Sequence, residues 1–468
     1  MKLFRLFIAS LFALGLSACA SKIDCTVPAR IVDGTIVTQV PPRAPGQASM
    51  LRFAAEPIDT VRIALVGLGM RGTGTLKRLI HHDQSEARLV AVCDVLEENV
   101  NKALQIVADA GLPAPAPYIG EEAYQELCAR PDVDLVYVVT DWIHHTPIAV
   151  YAMEQGKHVA IEVPAATTLA ECWQLVDTAE KTRRHCMMLE NCVYDFFEAS
   201  CLKMAQEGQF GEIYYAEGAY IHNLDHGWRR YYKNWRLDFN SKFRGDNYPT
   251  HGFGPICQAL NIHRGDRLRT LVAMDTRSFR GLEHAREIMG VDSFAEGDHT
   301  VTLVRTEKDK LMKVEHNVYG IRPYSRMYSL SGTKGYAQKY PLPGGLCFSQ
   351  KPGSDDARGS EIVEHFEFVP AQVRDSLLAA YRPSIIKGIE ERARKVGGHD
   401  GMDFIMDLRL VYCLRHGLPL DMDVYDAAEW CSLCELSRIS LNNGFAPVEV
   451  PDFTRGDWNV IDGYSYAE

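Results

Sequence analysis

The stretch that most constrains this chain runs from Val61 to Asp94. Val61-Arg62-Ile63-Ala64-Leu65-Val66 is an apolar run of buried-strand type. It enters Gly67-Leu68-Gly69-Met70-Arg71-Gly72, and helical sequence follows through His81. A second apolar run, Ala87 to Cys93, ends at Asp94, 22 residues past Gly72. Strand, glycine loop, helix, strand and terminal acid in this order describe a dinucleotide-binding unit. Gly67 permits the tight turn, Gly69 lets a pyrophosphate approach the backbone, and Gly72 lets the helix pack closely on the strand. The helix N-terminus offers unpaired N–H groups to the phosphates. A carboxylate at Asp94 accepts hydrogen bonds from ribose hydroxyls and repels a 2′-phosphate, so the expected cofactor is NAD and not NADP.

The pattern continues with helical sequence over 97–110, a further helix before the strand Leu135 to Val139, a helix over 146–155 and a strand at Val159-Ala160-Ile161. Alternation of this kind predicts a parallel, doubly wound sheet. After about residue 185 long strand candidates dominate, at 212–222, 268–278, 299–306, 311–319 and 326–331, with hairpin spacing near Glu307–Lys310. Residues 371–442 return to helical periodicity, and 451–468 read as an irregular tail. The expected fold class is α/β. A Rossmann doubly wound parallel sheet spans 57–185, and an α+β domain with a large, mainly antiparallel open sheet spans 186–468. The net charge of −11, with no long basic run, argues against a nucleic-acid partner. With 46% hydrophobic and 24% charged residues, the chain is neither mostly disordered nor a multi-span membrane protein.

Residues 1–18 carry Lys2 and Arg5 ahead of an apolar run from Leu6 to Leu16, too short to span a bilayer and suited to a secretory signal. Leu16-Ser17-Ala18-Cys19 resembles a bacterial lipobox, which implies acylation of Cys19 and attachment to the cell envelope through lipid. Residues 19–56, with Pro28, Pro41, Pro42 and Pro45, read as a tether.

Four further motifs stand in order along the chain: Leu189-Glu190-Asn191-Cys192-Val193-Tyr194, Tyr248-Pro249-Thr250-His251-Gly252, Asn261-Ile262-His263-Arg264-Gly265-Asp266 and Gly398-His399-Asp400-Gly401-Met402-Asp403. Together with the glycine loop they resemble the Gfo/Idh/MocA oxidoreductases and, within them, glycoside hydrolase family 109, the NAD-dependent α-N-acetylgalactosaminidases. The resemblance runs from about residue 60 to Trp458. It implies NAD contacts at Met70, Arg71, Asp94, Trp142, His144, Glu162, Val163 and Asn191. It implies substrate contacts at Tyr220, Arg236, Tyr248, His251 and Tyr324. Dehydrogenases of the wider group usually carry Glu-Lys-Pro where this chain has Glu162-Val163-Pro164. Valine cannot shuttle a proton, so the resemblance assigns the acid/base role to His251.

The mechanism so implied is oxidation at the sugar C3, elimination across C2–C1, addition of water and re-reduction, an exception to the usual pair of carboxylates. Tyr324 and Tyr248 are candidates to polarise the C3 oxygen or to assist at C2, whose base stays unassigned. The expected substrate is a glycan or glycoside ending in α-linked N-acetylgalactosamine. The same chemistry admits another anomer or sugar, or an oxidoreductase passing hydride between sugars through bound NAD. A homo-oligomer is compatible with the sequence.

No metal is expected. His144 and His145 are adjacent, and neighbours on regular structure point apart. Cys431 and Cys434 have CxxC spacing inside an apolar helical stretch and no second pair. Gly397–Gly401 is either a turn with Asp400 as N-cap to a helix over 403–415, or a loop that closes over the sugar. Asp421, Asp423 and Asp426 are expected to cap a helix start.

Overall fold

The computed structural model describes residues 23–349 and 365–466, so Cys19 and the signal segment lie outside the described residues. The tether reading of 19–56 is corrected over its described part. Strands β1 (Ala29–Val32) and β2 (Thr35–Thr38) form a hairpin. Ile36 is buried, Arg43 pairs with Glu180 at 3.1 Å, and the Met50 N–H donates to the Tyr425 hydroxyl at 3.0 Å. The prolines hide this packing, because they remove the periodicity that announces buried elements.

Strands β3 (Val61–Val66), β4 (Ala87–Asp94), β5 (Ala116–Ile119), β6 (Leu135–Val138), β7 (His158–Ile161) and β8 (Cys186–Met188) form a wholly parallel sheet in the order β5-β4-β3-β6-β7-β8. The order reverses between β3 and β6, and a crevice beyond the strand ends at such a switch point is where open α/β sheets take ligands. Strands β3 and β6 to β8 are buried almost throughout, which explains their continuous apolar runs. The helix expected over 146–155 starts earlier and spans Trp142–Glu154. Asp141 caps it by accepting from the His144 N–H, and Pro147 in its second turn masks the start.

The second sheet holds β9 (Ile213–Ile221), β10 (Leu268–Asp275), β11 (Thr300–Thr306), β12 (Leu311–Asn317), β13 (Ser329–Gly332), β14 (Gly335–Gln338), β15 (Gly345–Phe348) and β16 (Val448–Glu449). With the N-terminal hairpin it has ten strands, ordered β1-β2-β16-β10-β11-β12-β9-β13-β14-β15. Among the described residues, only its β12–β9 and β16–β2 pairs are parallel. The predicted hairpin at 307–310 joins β11 to β12. The helix Val424–Asn442 is buried over nearly its whole length. Asp423 and Asp426 form its capping box, as expected of them, whereas Asp421 takes the guanidinium of Arg409.

Candidate active site

The cofactor half of the site is made mostly of backbone. Gly67 has φ +93°, and a Cβ there would fall 2.4 Å from the Val139 carbonyl oxygen. A Cβ on Gly72 would fall 1.9 Å from the Gly67 oxygen, so the helix and the loop touch through a missing side chain. Gly69 faces open space. It is the N-cap of the helix Met70–Leu79, which has no side-chain cap and no acid in its first turn. Its first N–H groups are therefore left for an anion. Asp94 ends β4 and is clamped: Oδ2 accepts from the Leu68 N–H at 2.6 Å, and Oδ1 accepts from the Leu96 N–H at 2.9 Å and Asn99 Nδ2 at 3.1 Å. A carboxylate has about four acceptor positions, so one stays available to a ribose hydroxyl. These features fit a dinucleotide.

The other expected cofactor residues surround this loop unequally. Arg71 donates through Nε to Glu162 at 2.6 Å and through Nη1 to Asp403 at 2.7 Å. Trp142 and Val163 are buried. Met70 is exposed. His144 is exposed and pairs with Asp141, whose hydrogen bond raises the imidazole above its ordinary range. His145 points the other way, between the Pro164 and Thr140 carbonyls, so the two imidazoles do not converge.

The half expected to take the sugar is made of side chains from distant segments. His251 stands in the first turn of the helix Thr250–Ala259. That helix presses onto β9 where a Cβ on Gly218 would lie 2.0 Å from the Gly252 oxygen. His251 Nδ1 lies 2.7 and 2.9 Å from the two oxygens of Glu190, and Nε2 lies 3.3 Å from the Tyr248 hydroxyl. Glu190 is fully buried. Burial alone would raise its carboxyl, but the charge and hydrogen bond of His251 and the Cys192 N–H hold it below the usual range. In the neutral imidazole an ionised Glu190 places the proton on Nδ1, which leaves Nε2, toward the Tyr248 hydroxyl, as the acceptor.

Tyr220 packs its ring 4.6 Å from Tyr248 and 5.2 Å from His251. Its hydroxyl meets His222 Nδ1 at 2.8 Å. Burial and the charge of Arg236 lower His222 to about 4, so it is neutral at pH 7. Arg236 is buried against the faces of Trp142 and Tyr248, 4.9 and 4.8 Å from their centroids. Nη1 donates to the Tyr231 hydroxyl at 3.1 Å, while Nε has no partner among the described residues. Tyr324 does not touch His251. Its ring meets His222 at 5.1 Å, and its oxygen accepts from Arg326, which Glu198 and Asp195 hold from behind.

Sequence reasoning passed over Glu190, His222, Arg326 and Asp403. Two of these stood inside quoted motifs: Glu190 immediately precedes Asn191, and Asp403 closes the Gly398–Asp403 run. The loop Gly397–Gly401 does not use Asp400 as a helix cap. Gly401 is the N-cap of Met402–His416, and Asp400 pairs with Arg394. His399, at the loop's tip, is exposed and turns Nδ1 to Asp403 and to Asn191 Nδ2. Glu190, Cys192 and His251 bring donor atoms within 4.8 Å of one another. Nδ1 of His251 is spent on Glu190, however, and burial keeps the Cys192 thiol protonated.

The sequence profile described as "Oxidoreductase family, NAD-binding Rossmann fold" matches residues 61–190, and that described as "Glycosyl hydrolase 109, C-terminal domain" matches residues 194–460. "Glycosyl hydrolase family 109 protein 1" of Phocaeicola vulgatus is 54% identical over 434 residues, which are 92% of this chain and 91% of that protein. The protein of the same name from Bacteroides thetaiotaomicron is 51% identical over 466 residues, 99% of both chains. Among solved structures, levoglucosan dehydrogenase in complex with NADH superposes with a TM-score of 0.63 at 16% identity, over 84% of this chain and all of that one. Apo scyllo-inositol dehydrogenase from Lactobacillus casei gives 0.58 at 14% identity, over 84% and 99%. The structural likenesses show the shared fold. The Rossmann half binds NAD, and the cofactor loop and the sugar-half motifs lie on one continuous chain whose full length matches these hydrolases. The chain belongs to glycosyl hydrolase family 109.

Proposed function

We propose that the protein is an exported, lipid-anchored glycosidase that releases terminal α-linked N-acetylgalactosamine and uses NAD as a cofactor regenerated in each turnover. The observation that carries this reading is His251. Glu190 and Tyr248 order its ring, Glu190 directly precedes the cofactor residue Asn191, and Val163 removes the alternative lysine. The relatives' family name supports hydrolysis. The lipobox at Cys19 supports the anchor.

Met70, Arg71, Asp94, Trp142, His144, Glu162, Val163 and Asn191 would hold NAD. Bound NAD supplies reversible hydride exchange at the sugar C3. His251 Nε2 takes the proton of the C3 hydroxyl and later returns it, and Glu190 stabilises the imidazolium formed in between. Tyr248, whose hydroxyl lies 3.3 Å from Nε2, yields that position to the C3 hydroxyl when sugar binds. Tyr220, beside His251, contacts the sugar, and Arg236, with Nε unspent, suits an acetamido or hydroxyl oxygen. Tyr324, its oxygen already accepting from Arg326, points its own O–H at other acceptors. His399 is the solvent-facing imidazole at the rim, and Asp403 behind Nδ1 equips it to pass a proton to the leaving glycosidic oxygen.

The test uses defined α- and β-linked disaccharides, with released sugar measured by liquid chromatography on NAD-loaded and NAD-stripped protein. Release of N-acetylgalactosamine from the α-linked substrate by the loaded protein alone is expected. A substrate deuterated at C2 should lose the label in ordinary water, and product that keeps all of it excludes elimination. Labelled fatty acid should appear on the wild-type protein and vanish in Cys19→Ala.

A further inference from the structure

Asp403 is where the two halves of the site meet. Its carboxylate is fully buried and takes four donors from three segments. Arg71 Nη1 at 2.7 Å comes from the first turn of the cofactor helix, and Arg78 Nη1 at 3.3 Å from its last turn. Asn191 Nδ2 comes from the turn after β8, and His399 Nδ1 at 3.1 Å from the loop Gly397–Gly401. All five residues of that loop have positive φ, from +46° at His399 to +100° at Gly401. The loop is seated through a missing side chain: a Cβ on Gly398 would fall 2.7 Å from the Asp403 Cβ and 2.9 Å from the Arg78 Cδ. Arg71 bridges Asp403 to Glu162, and neither bond uses its Nη2. The side chain is about a third exposed, and with Nη2 unspent it can hold both carboxylates and still present donors to an anion.

We propose that Asp403 is a positioning residue that couples NAD retention to the seating of the Gly397–Gly401 loop. One carboxylate fixes Arg71 beside the cofactor groove and His399 at the rim of the sugar site. A dinucleotide that orders Arg71 therefore seats the loop, and a seated loop slows release of the dinucleotide, because coupling between two sites is reciprocal. This rests on the reading above only in taking NAD as the ligand of the glycine loop.

The experiment uses purified NAD-loaded protein without sugar. It measures the rate of NAD release after dilution and the hydrogen exchange of amides 397–401 with and without NAD. In wild type, NAD should protect the loop. In Asp403→Asn, release should quicken by at least about tenfold and the NAD-dependent protection should disappear. His399→Ala, altered at an exposed tip that does not hold the fold, should move both readouts in the same direction if Asp403→Asn fails to fold. A folded variant of either kind with NAD release within about twofold of wild type, and with loop protection intact, overturns the coupling. Neither readout needs a substrate, so failure of the N-acetylgalactosamine assignment leaves them unaffected. Wild-type protein that takes up no NAD overturns the coupling and the cofactor together.

Discussion

The cofactor half and the half around His251 are built on opposite plans. Around the glycine loop the decisive features are absent side chains and backbone N–H groups, all within Gly67 to Asp94. Around His251 the decisive features are side-chain pairs that join remote segments. His251 and Glu190 are 61 residues apart, and Arg326 and Glu198 are 128 apart. The first plan is sensitive chiefly to volume. The second is sensitive to charge, because each buried carboxylate is tolerable only while its partner is present.

This contrast predicts different failures in the two halves. His251→Ala should cost at least about 10²-fold in turnover while folding and NAD binding survive, checked by initial rates beside thermal melting and bound NAD. Glu190→Gln keeps the shape and an acceptor but not the charge, and should lose about tenfold or more in turnover with KM little changed. In the cofactor half, Gly72→Ala should destabilise the fold by about 1–3 kcal/mol, since its Cβ meets a backbone oxygen that cannot step aside. Gly69→Ala has open space for its Cβ, so its melting temperature should match wild type while its NAD affinity falls. Equal melting losses in the two glycine variants would remove the distinction between packing and approach. Asp94→Ala, which removes the carboxylate at the end of β4, should weaken NAD by about 1–3 kcal/mol in a binding titration.

The same contrast explains what the sequence made legible. Spacing within one unit is local, so the loop, Asp94 and the parallel sheet could be read from residues 61–161. The antiparallel sheet was legible as strands, but its N-terminal edge was not. β1 and β2 are four-residue strands among prolines, and β2 joins the sheet through a single parallel register with β16, more than 400 residues away. His251 was reached through a motif, whereas its partner Glu190 was not, because no periodicity records which carboxylate folds against which imidazole. His222 and Arg326 carry no motif at all. Their roles arise from β9 and the segment after β12 lying side by side, as the Ile221–Ser325 bridge shows.

The smallest effect on turnover is expected outside both halves, in a charge-built cluster that tests by stability whether the second plan holds elsewhere in the molecule. His263 is fully buried with Nδ1 2.5 Å from Glu429, and its Nε2 faces Asp423 and Asp426 at 3.5 and 3.7 Å. Burial and the neighbouring Arg264 would lower this imidazole, but Glu429, Asp426 and Asp423 together raise it to about 10. The folded value exceeds the unfolded one, near 6.5, so the charged imidazole stabilises the fold fully below about pH 6.5. That contribution is lost as pH rises toward 10, at up to about 1.4 kcal/mol per pH unit. Other groups titrate in the same range, so the test compares wild type with His263→Gln by denaturant unfolding at pH 7 and pH 9.5. Wild type should be the more stable at pH 7, and its advantage should shrink at pH 9.5. An advantage that stays constant would mean that His263 is neutral and held by shape alone, which would place this cluster with the glycine loop and not with Glu190 and His251.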